Sequence, residues 1–182
     1  MSEANAKYRG VIIIALIFMG MTLLAKYAMD FLRKTETETE VQVQKVLDGD
    51  TVKLEDGRLI RLIGVDCPEF NKEEGNELDA SKLKIPYPHF VSYAKKAKDY
   101  LETRVDQGPL KMVMDPAFKN FVDPSGRSWA YFNKGGRSIN QDMIRQGYCF
   151  LHQGYQFRDR KAFFQAQNQA KAEKRGLWNQ AN

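Results

Sequence analysis

Four carboxylates and an arginine crowd the stretch from Val46 to Glu69, with Asp48 and Asp50 on one side of Arg61 and Asp66 and Glu69 on the other. Carboxylate oxygens are the hard donors that Ca2+ or Mg2+ prefers, and a guanidinium presents a planar fork that fits the paired oxygens of a phosphate. The combination reads as a metal-and-phosphate site. Hydrolysing a phosphodiester piles negative charge onto the phosphorus oxygens, so cations must converge there and a water must be aimed in line. A divalent ion held by Asp50 and Asp66 supplies one cation and acts as a Lewis acid, and Arg61 supplies another. Any one of these carboxylates alone reads as a solvated turn residue. Their joint spacing argues for chemistry.

The elements that must position these residues follow from periodicity. Val41, Val43 and Leu47 alternate with period two, predicting a strand from Val41. Thr51 to Leu54 and Arg58 to Val65 read as two more strands, joined by Asp56-Gly57, a dipeptide suited to a tight hairpin turn. A polar loop rich in lysine and glutamate is expected from Phe70 to Pro88, followed by an amphipathic helix over Phe90 to Leu101 with Val91, Ala94, Ala97 and Leu101 on one face. Leu110 to Met114 and Ser128 to Phe132 are the fourth and fifth strands. Ser138 can cap a second helix running to Gln146, and Gly147 ends it. A third helix is expected from Asp159 to Arg175, with Phe163, Ala166, Ala170 and Glu173 on one stripe. The fold class is therefore α+β.

The chain divides into an N-terminal segment, residues 1–34, a polar Thr-Glu spacer, residues 35–40, and one domain, residues 41–180. Gly10 to Ala25 carries no charge, and as a helix it spans about 24 Å against a hydrocarbon core of about 30 Å. Extending it through Leu32 lets residues 10–32 form a transmembrane helix in a lipid bilayer, with Lys26 snorkelling. A cleaved signal peptide is the rival reading, although Lys26 spoils the small-residue cleavage pattern before Ala28. The expectation is a single-pass membrane protein. Lysines and arginines flank the segment on both sides, so the charge rule leaves the orientation open.

Lys and Arg number 28 against 23 Asp and Glu, and residues 1–40 are charge-balanced, so the whole excess lies in the domain. A polyanionic partner suits that balance, as does plain solubility. No protein partner is inferred. Cys67, Cys149, His89 and His152 have no zinc-ligand spacing. The two cysteines can form one disulfide in an oxidising compartment or pack as two small apolar groups.

Three blocks, in order, resemble the staphylococcal nuclease (thermonuclease) family: Asp48-Gly49-Asp50-Thr51, then Arg61-Leu-Ile-Gly-Val-Asp66-Cys67-Pro68-Glu69, then Gly126-Arg127 followed by Ser128-Trp129-Ala130-Tyr131. The resemblance runs from Val41 to Trp178. It implies a five-stranded OB-type Greek-key β-barrel with three helices, and a Ca2+-dependent nuclease that cuts DNA and RNA with little sequence preference, leaving 3′-phosphate ends. Carried over residue by residue, it makes Asp50, Asp66 and the backbone carbonyl of Cys67 metal ligands, with Asp48 in the outer shell through water. Arg61 and Arg127 become the charge-stabilising arginines, Glu69 the group that orients or deprotonates the attacking water, and Tyr155 a substrate-binding residue. It also sets Cys67 beside the metal ligands and Cys149 just after the second helix, where they can pair. Two departures stand out: Ser125 replaces a family tyrosine, and the tyrosine pair after Gly147 is reduced to Tyr155 with Tyr148 nearby. A non-selective nuclease is safer outside the cytoplasm, where Ca2+ is abundant, so the domain is expected there. The rival function is a catalytically silent OB module that binds nucleic acid, and such modules usually lack a carboxylate or arginine that this chain retains.

Overall fold

The structure is a computed structural model that describes residues 15–28, 38–106 and 108–179. It divides into two units, one before residue 38 and one from Glu38 onward. In the first unit residues 15–28 form helix α1, about 21 Å long at the usual rise, with Leu16, Ile17, Phe18, Leu23 and Leu24 exposed. Among the described residues no helix is long and apolar enough to cross a membrane. The expected span of residues 10–32 has its two ends, residues 10–14 and 29–32, outside the described residues.

In the second unit the strands close into a ring. β1 (Glu38–Val41) and β2 (Val43–Val46) are separated by Gln42 alone, and β1 pairs with β6 (Leu110–Val113) while β2 pairs with β3 (Thr51–Leu54). β3 pairs with β4 (Leu59–Leu62), β4 runs parallel to β7 (Arg127–Lys134), and β7 pairs with β6. Counting β1 and β2 as one bent strand, this is a five-stranded closed barrel with one parallel contact, the OB-type order. β1 begins at Glu38, inside the stretch read from sequence as spacer, because Glu38, Thr39 and Glu40 pair with Val113, Met112 and Lys111. Polar, exposed side chains hid that pairing.

The strands form because alternate residues find the barrel interior: Val52 and Leu54, Ile60 and Leu62, Ala130 and Phe132 are all buried. The expected long third strand breaks at Gly64, whose positive φ and contact with the Phe157 ring leave no room for a Cβ. Past that turn the two-residue strand β5 (Val65–Asp66) pairs with β9 (Phe150–Leu151), while β8 (Arg137–Ser138) folds back on the end of β7.

Among the described residues the second unit carries five helices rather than three. α2 (Glu73–Leu83) occupies the stretch expected to be a loop, α3 (Tyr87–Val91) straddles the end of that loop and the start of the expected helix, and α4 (Tyr93–Val105) starts later than expected. α2 has no apolar stripe to detect, since it buries only Asn76 and Ala80. Its anchorage is a second apolar cluster in which Ala80, Ile85 and Phe90 meet Phe150, Leu177 and Trp178. α5 (Ile139–Arg145) is capped by Ser138 as expected, and α6 (Arg160–Ala172) buries Phe163, Ala166 and Ala170, with Glu173 exposed beyond its end.

Asn140, fully buried at the start of α5, accepts from the Phe132 N–H and donates to the carbonyls of Ile63 and Ala130. It ties the helix to β7 and to the turn that follows β4. Asn140→Ala leaves three buried backbone groups without that partner and should destabilise the domain by about 3 kcal/mol in urea unfolding. A loss under about 1 kcal/mol would show that these groups find other partners.

Candidate active site

Strand register puts the two arginines on one face of the barrel wall. Arg61 lies opposite Thr51 on one side and opposite Trp129 on the other, while Leu59 lies opposite Arg127. Because side chains alternate, Ile60 and Leu62 enter the core and Arg61 points the other way. It is nevertheless 6% exposed. The turn that carries Asp50 and the short strand β5 that carries Asp66 fold over it.

Asp50 ends the turn between β2 and β3, where Asp48 Oδ1 accepts from the Asp50 N–H at 3.0 Å and shapes the loop. Asp50 is fully buried. Its Oδ1 accepts from Arg61 Nη1 at 2.9 Å and from the Thr51 hydroxyl at 3.0 Å, while its Oδ2 is buried with no hydrogen-bond partner. The other arm of the guanidinium, Nη2, donates to Asp66 Oδ1 at 2.9 Å. Arg127 is fixed from behind: its Nε donates to Asp123 Oδ2 at 2.7 Å, and its Nη1 reaches the Thr51 hydroxyl at 3.2 Å. Thr51 therefore links the two arginines through Asp50.

Glu69 is held by its backbone. Its N–H donates to Asn76 Oδ1 at 3.0 Å and its carbonyl accepts from Asn76 Nδ2 at 2.7 Å, so helix α2 clamps the loop that carries it. Its carboxylate pairs with the exposed Lys72 at 2.7 Å. Tyr155 accepts from the Gly64 N–H at 2.9 Å, and its ring lies 4.6 Å from Trp129 and 4.3 Å from His152 between centroids. Cys67 and Cys149 are joined by a disulfide, so the bridge left open by the sequence is present.

Burial pushes the Asp50 carboxyl up, and Asp48, Asp66 and Glu69 push it further against the pull of Arg61. Burial also raises Asp66 to about 6, opposed by Arg61 and helped by Asp79 and Glu69. Arg61 resists its own burial because Asp50 and Asp66 hold its proton. With both carboxylates ionised, the site would hold more negative charge than its one buried arginine neutralises. That imbalance, with the unpaired Asp50 Oδ2, fits a divalent cation. Among the described residues no three His, Cys, Asp or Glu side chains gather as a cage. A cation here would take the two carboxylates and complete its shell with backbone carbonyl and water, the open coordination that Ca2+ and Mg2+ accept.

The structure brings Asp48, Asp50, Arg61 and Asp66 together and joins Arg127 to them through Thr51. Glu69 and Tyr155 lie near enough to bear electrostatically on Arg61. Sequence reasoning missed Thr51 as a link, Asn76 as the clamp on Glu69, and Asp123. Asp123 also accepts from the Trp129 indole at 3.3 Å. Burial pushes its carboxyl up, but the bonds from Arg127 and Trp129 outweigh that and hold it low. Its position four residues before Arg127 was the available signal.

Residues 59–180 match the family model described as staphylococcal nuclease homologue. The chain belongs to this family. The match begins after the Asp48–Thr51 turn, which the fold adds to the site. An uncharacterized protein of Methanocaldococcus jannaschii is 30% identical over 162 residues, covering 78% of this chain and 72% of its own. A protein of Escherichia coli O157:H7 named an uncharacterized endonuclease is 28% identical over 145 residues, covering 78% of each chain.

His152, packed on Tyr155, is pushed down from 6.5 to about 4 by burial and by the positive charges of Arg61 and Arg160. Its imidazole resonances should titrate near that value in the metal-free protein. Between about 4 and 6.5 the unfolded chain binds this proton and the folded chain does not, so this group's contribution to stability falls as pH drops through that window. A His152 titration near 6.5 by NMR would contradict the burial.

Proposed function

We propose that this protein is a Ca2+-dependent phosphodiesterase, an endonuclease that hydrolyses DNA and RNA with low sequence specificity. The observation that carries the reading is Arg61, buried and shared between Asp50 and Asp66 beside an unpaired carboxylate oxygen, with Arg127 attached through Thr51. Family membership and the relatives named as endonucleases support it.

Asp50, Asp66 and the Cys67 carbonyl would hold the Ca2+, with Asp48 acting through water, and the bound ion would supply Lewis-acid stabilisation of the phosphate. Arg61 now spends its fork on Asp50 and Asp66. A bound cation that neutralised those carboxylates would free its donors for the phosphate oxygens, where a bidentate fit counts most. Arg127 keeps its orientation through Asp123 and so meets the developing charge without reorganising. Glu69, clamped by Asn76, orients or deprotonates the attacking water. Tyr155 and Trp129 form an aromatic surface beside Arg61 on which a base can stack, and stacking tolerates any base. This aromatic neighbour on β7 compensates for the tyrosine that Ser125 replaces.

We also place the domain outside the cytoplasm on a membrane tether through residues 10–32. The apolar N-terminal run supports the tether. The disulfide supports an oxidising compartment.

Degradation of single-stranded DNA by the full chain should require Ca2+ and stop with excess chelator. Binding of DNA without cleavage under any metal would favour the silent OB module instead. Asp50→Ala and Asp66→Ala should abolish turnover. Arg61→Ala and Arg127→Ala should each cost the transition state about 3 kcal/mol or more, and lysine should rescue neither because it lacks the planar fork. Near-normal turnover in Arg61→Lys would make that arginine structural.

A further inference from the structure

The three chain segments that build the carboxylate site meet on the Cys67–Cys149 disulfide. Cys67 directly follows Asp66 and Cys149 directly precedes Phe150, the residue that pairs with Asp66 across β5 and β9. Gly49, between Asp48 and Asp50, lies against the bridge. A Cβ at that position would stand 2.8 Å from Cys67 Cβ, 2.9 Å from Cys67 Sγ and 2.8 Å from Ala97 Cβ on α4. Cys149 Sγ is 3.8 Å from the Gly49 carbonyl oxygen.

This packing has no slack. Cys149 and Ala97 are fully buried, Cys67 nearly so, and Gly49 is buried with them. Two thiol sulfurs repel at bonding distance and must move apart once the bond between them is broken. Both cysteines are buried, so that movement is into packed neighbours rather than into solvent. The Gly49 backbone, the Cys67 backbone or α4 must shift, as in any overpacked core. A shift of either backbone moves Asp50 or Asp66, each one residue away.

We propose that the disulfide is a positioning device for the carboxylate site, and that the protein binds its metal and turns over only when Cys67 and Cys149 are oxidised. This inference rests on the nuclease reading above. Activation is thiol–disulfide exchange with a disulfide-bearing acceptor, either a small-molecule disulfide or a protein disulfide. One cysteine thiolate attacks the acceptor and expels a thiolate, and the second attacks the mixed disulfide, so one disulfide and two thiols become one disulfide and two thiols. The cysteines lose two electrons, the acceptor gains them, and the protons follow the released thiolates. A chain made in a reducing cytoplasm would stay silent towards its own cell's nucleic acid until it reached an oxidising compartment.

The barrel's own strand pairing does not run through the bridge, and Val52, Leu54, Ile60, Leu62 and Phe132 are buried in its interior. The predicted effect is therefore local, and that separates positioning from general stabilisation. The test compares the full chain in its oxidised form, after reduction with a phosphine, and after reoxidation with oxidised glutathione. Ca2+ binding is measured by calorimetry, fold by far-UV circular dichroism, and hydrolysis on single-stranded DNA. The expected result is a folded reduced protein with Ca2+ affinity at least tenfold weaker and turnover lowered in parallel, both restored on reoxidation. Gly49→Ala, kept oxidised, should weaken Ca2+ binding in the same way because its Cβ meets the bridge. Equal Ca2+ affinity in the two redox forms would overturn the proposal, and so would global unfolding on reduction, which would make the bridge a staple of the whole fold. Ca2+ binding that tracks the redox state without hydrolysis in any form would keep this inference and sink the nuclease reading. An absence of Ca2+ binding in every form would sink both.

Discussion

Everything in the site depends on burying the Arg61 guanidinium between Asp50 and Asp66. A charge on the outer wall of a barrel strand would ordinarily reach into water. Here the turn that carries Asp50 and the short strand β5 that carries Asp66 fold over it, and each contributes one carboxylate oxygen at 2.9 Å. Breaking such a pair by removing one partner leaves an uncompensated buried charge, so the contact is costly to lose even where it adds little net stability. The arrangement is also unfinished. Two carboxylates in direct contact, two more close by and an oxygen without a partner exceed what one guanidinium can satisfy. A site built for function carries that imbalance where a site built for stability would remove it.

The rest of the fold serves that constraint. The parallel contact between β4 and β7 sets Arg61 beside Trp129 and brings Arg127 onto the same face. Asp123 then turns the Arg127 guanidinium, and the Thr51 hydroxyl passes the connection to Asp50. On the far side the Asp66 strand is braced by β9, which carries the aromatic residue that anchors helix α2 and is directly preceded by the disulfide partner Cys149. That helix returns through Asn76 to hold Glu69. Each of these candidate site residues is thus held by contacts from outside its own element.

Helix α2 illustrates where sequence reasoning failed and why. Glu73 to Leu83 reads as a polar loop because tertiary contact asks for only two buried side chains there, and a helix supported by so few leaves no periodic trace. The first strand was read short for a similar reason, since Glu38, Thr39 and Glu40 point to solvent while their backbone pairs with β6. Backbone pairing is blind to side-chain polarity.

What the sequence by itself determined is the set of barrel strands from β2 onward, the capped helix at Ser138, and the list of charged groups, because alternation, turn residues and motif spacing are local properties of the chain. What only the tertiary structure decided is which of those groups meet. The partnership of Arg61 with both Asp50 and Asp66 spans eleven residues in one direction and five in the other. Arg127 reaches Thr51 across seventy-six. Cys67 finds Cys149 across eighty-two, with Gly49 pressed between that bridge and α4. Spacing along the chain holds no distance in space for such pairs, since barrel closure and the parallel register of β4 with β7 set those distances.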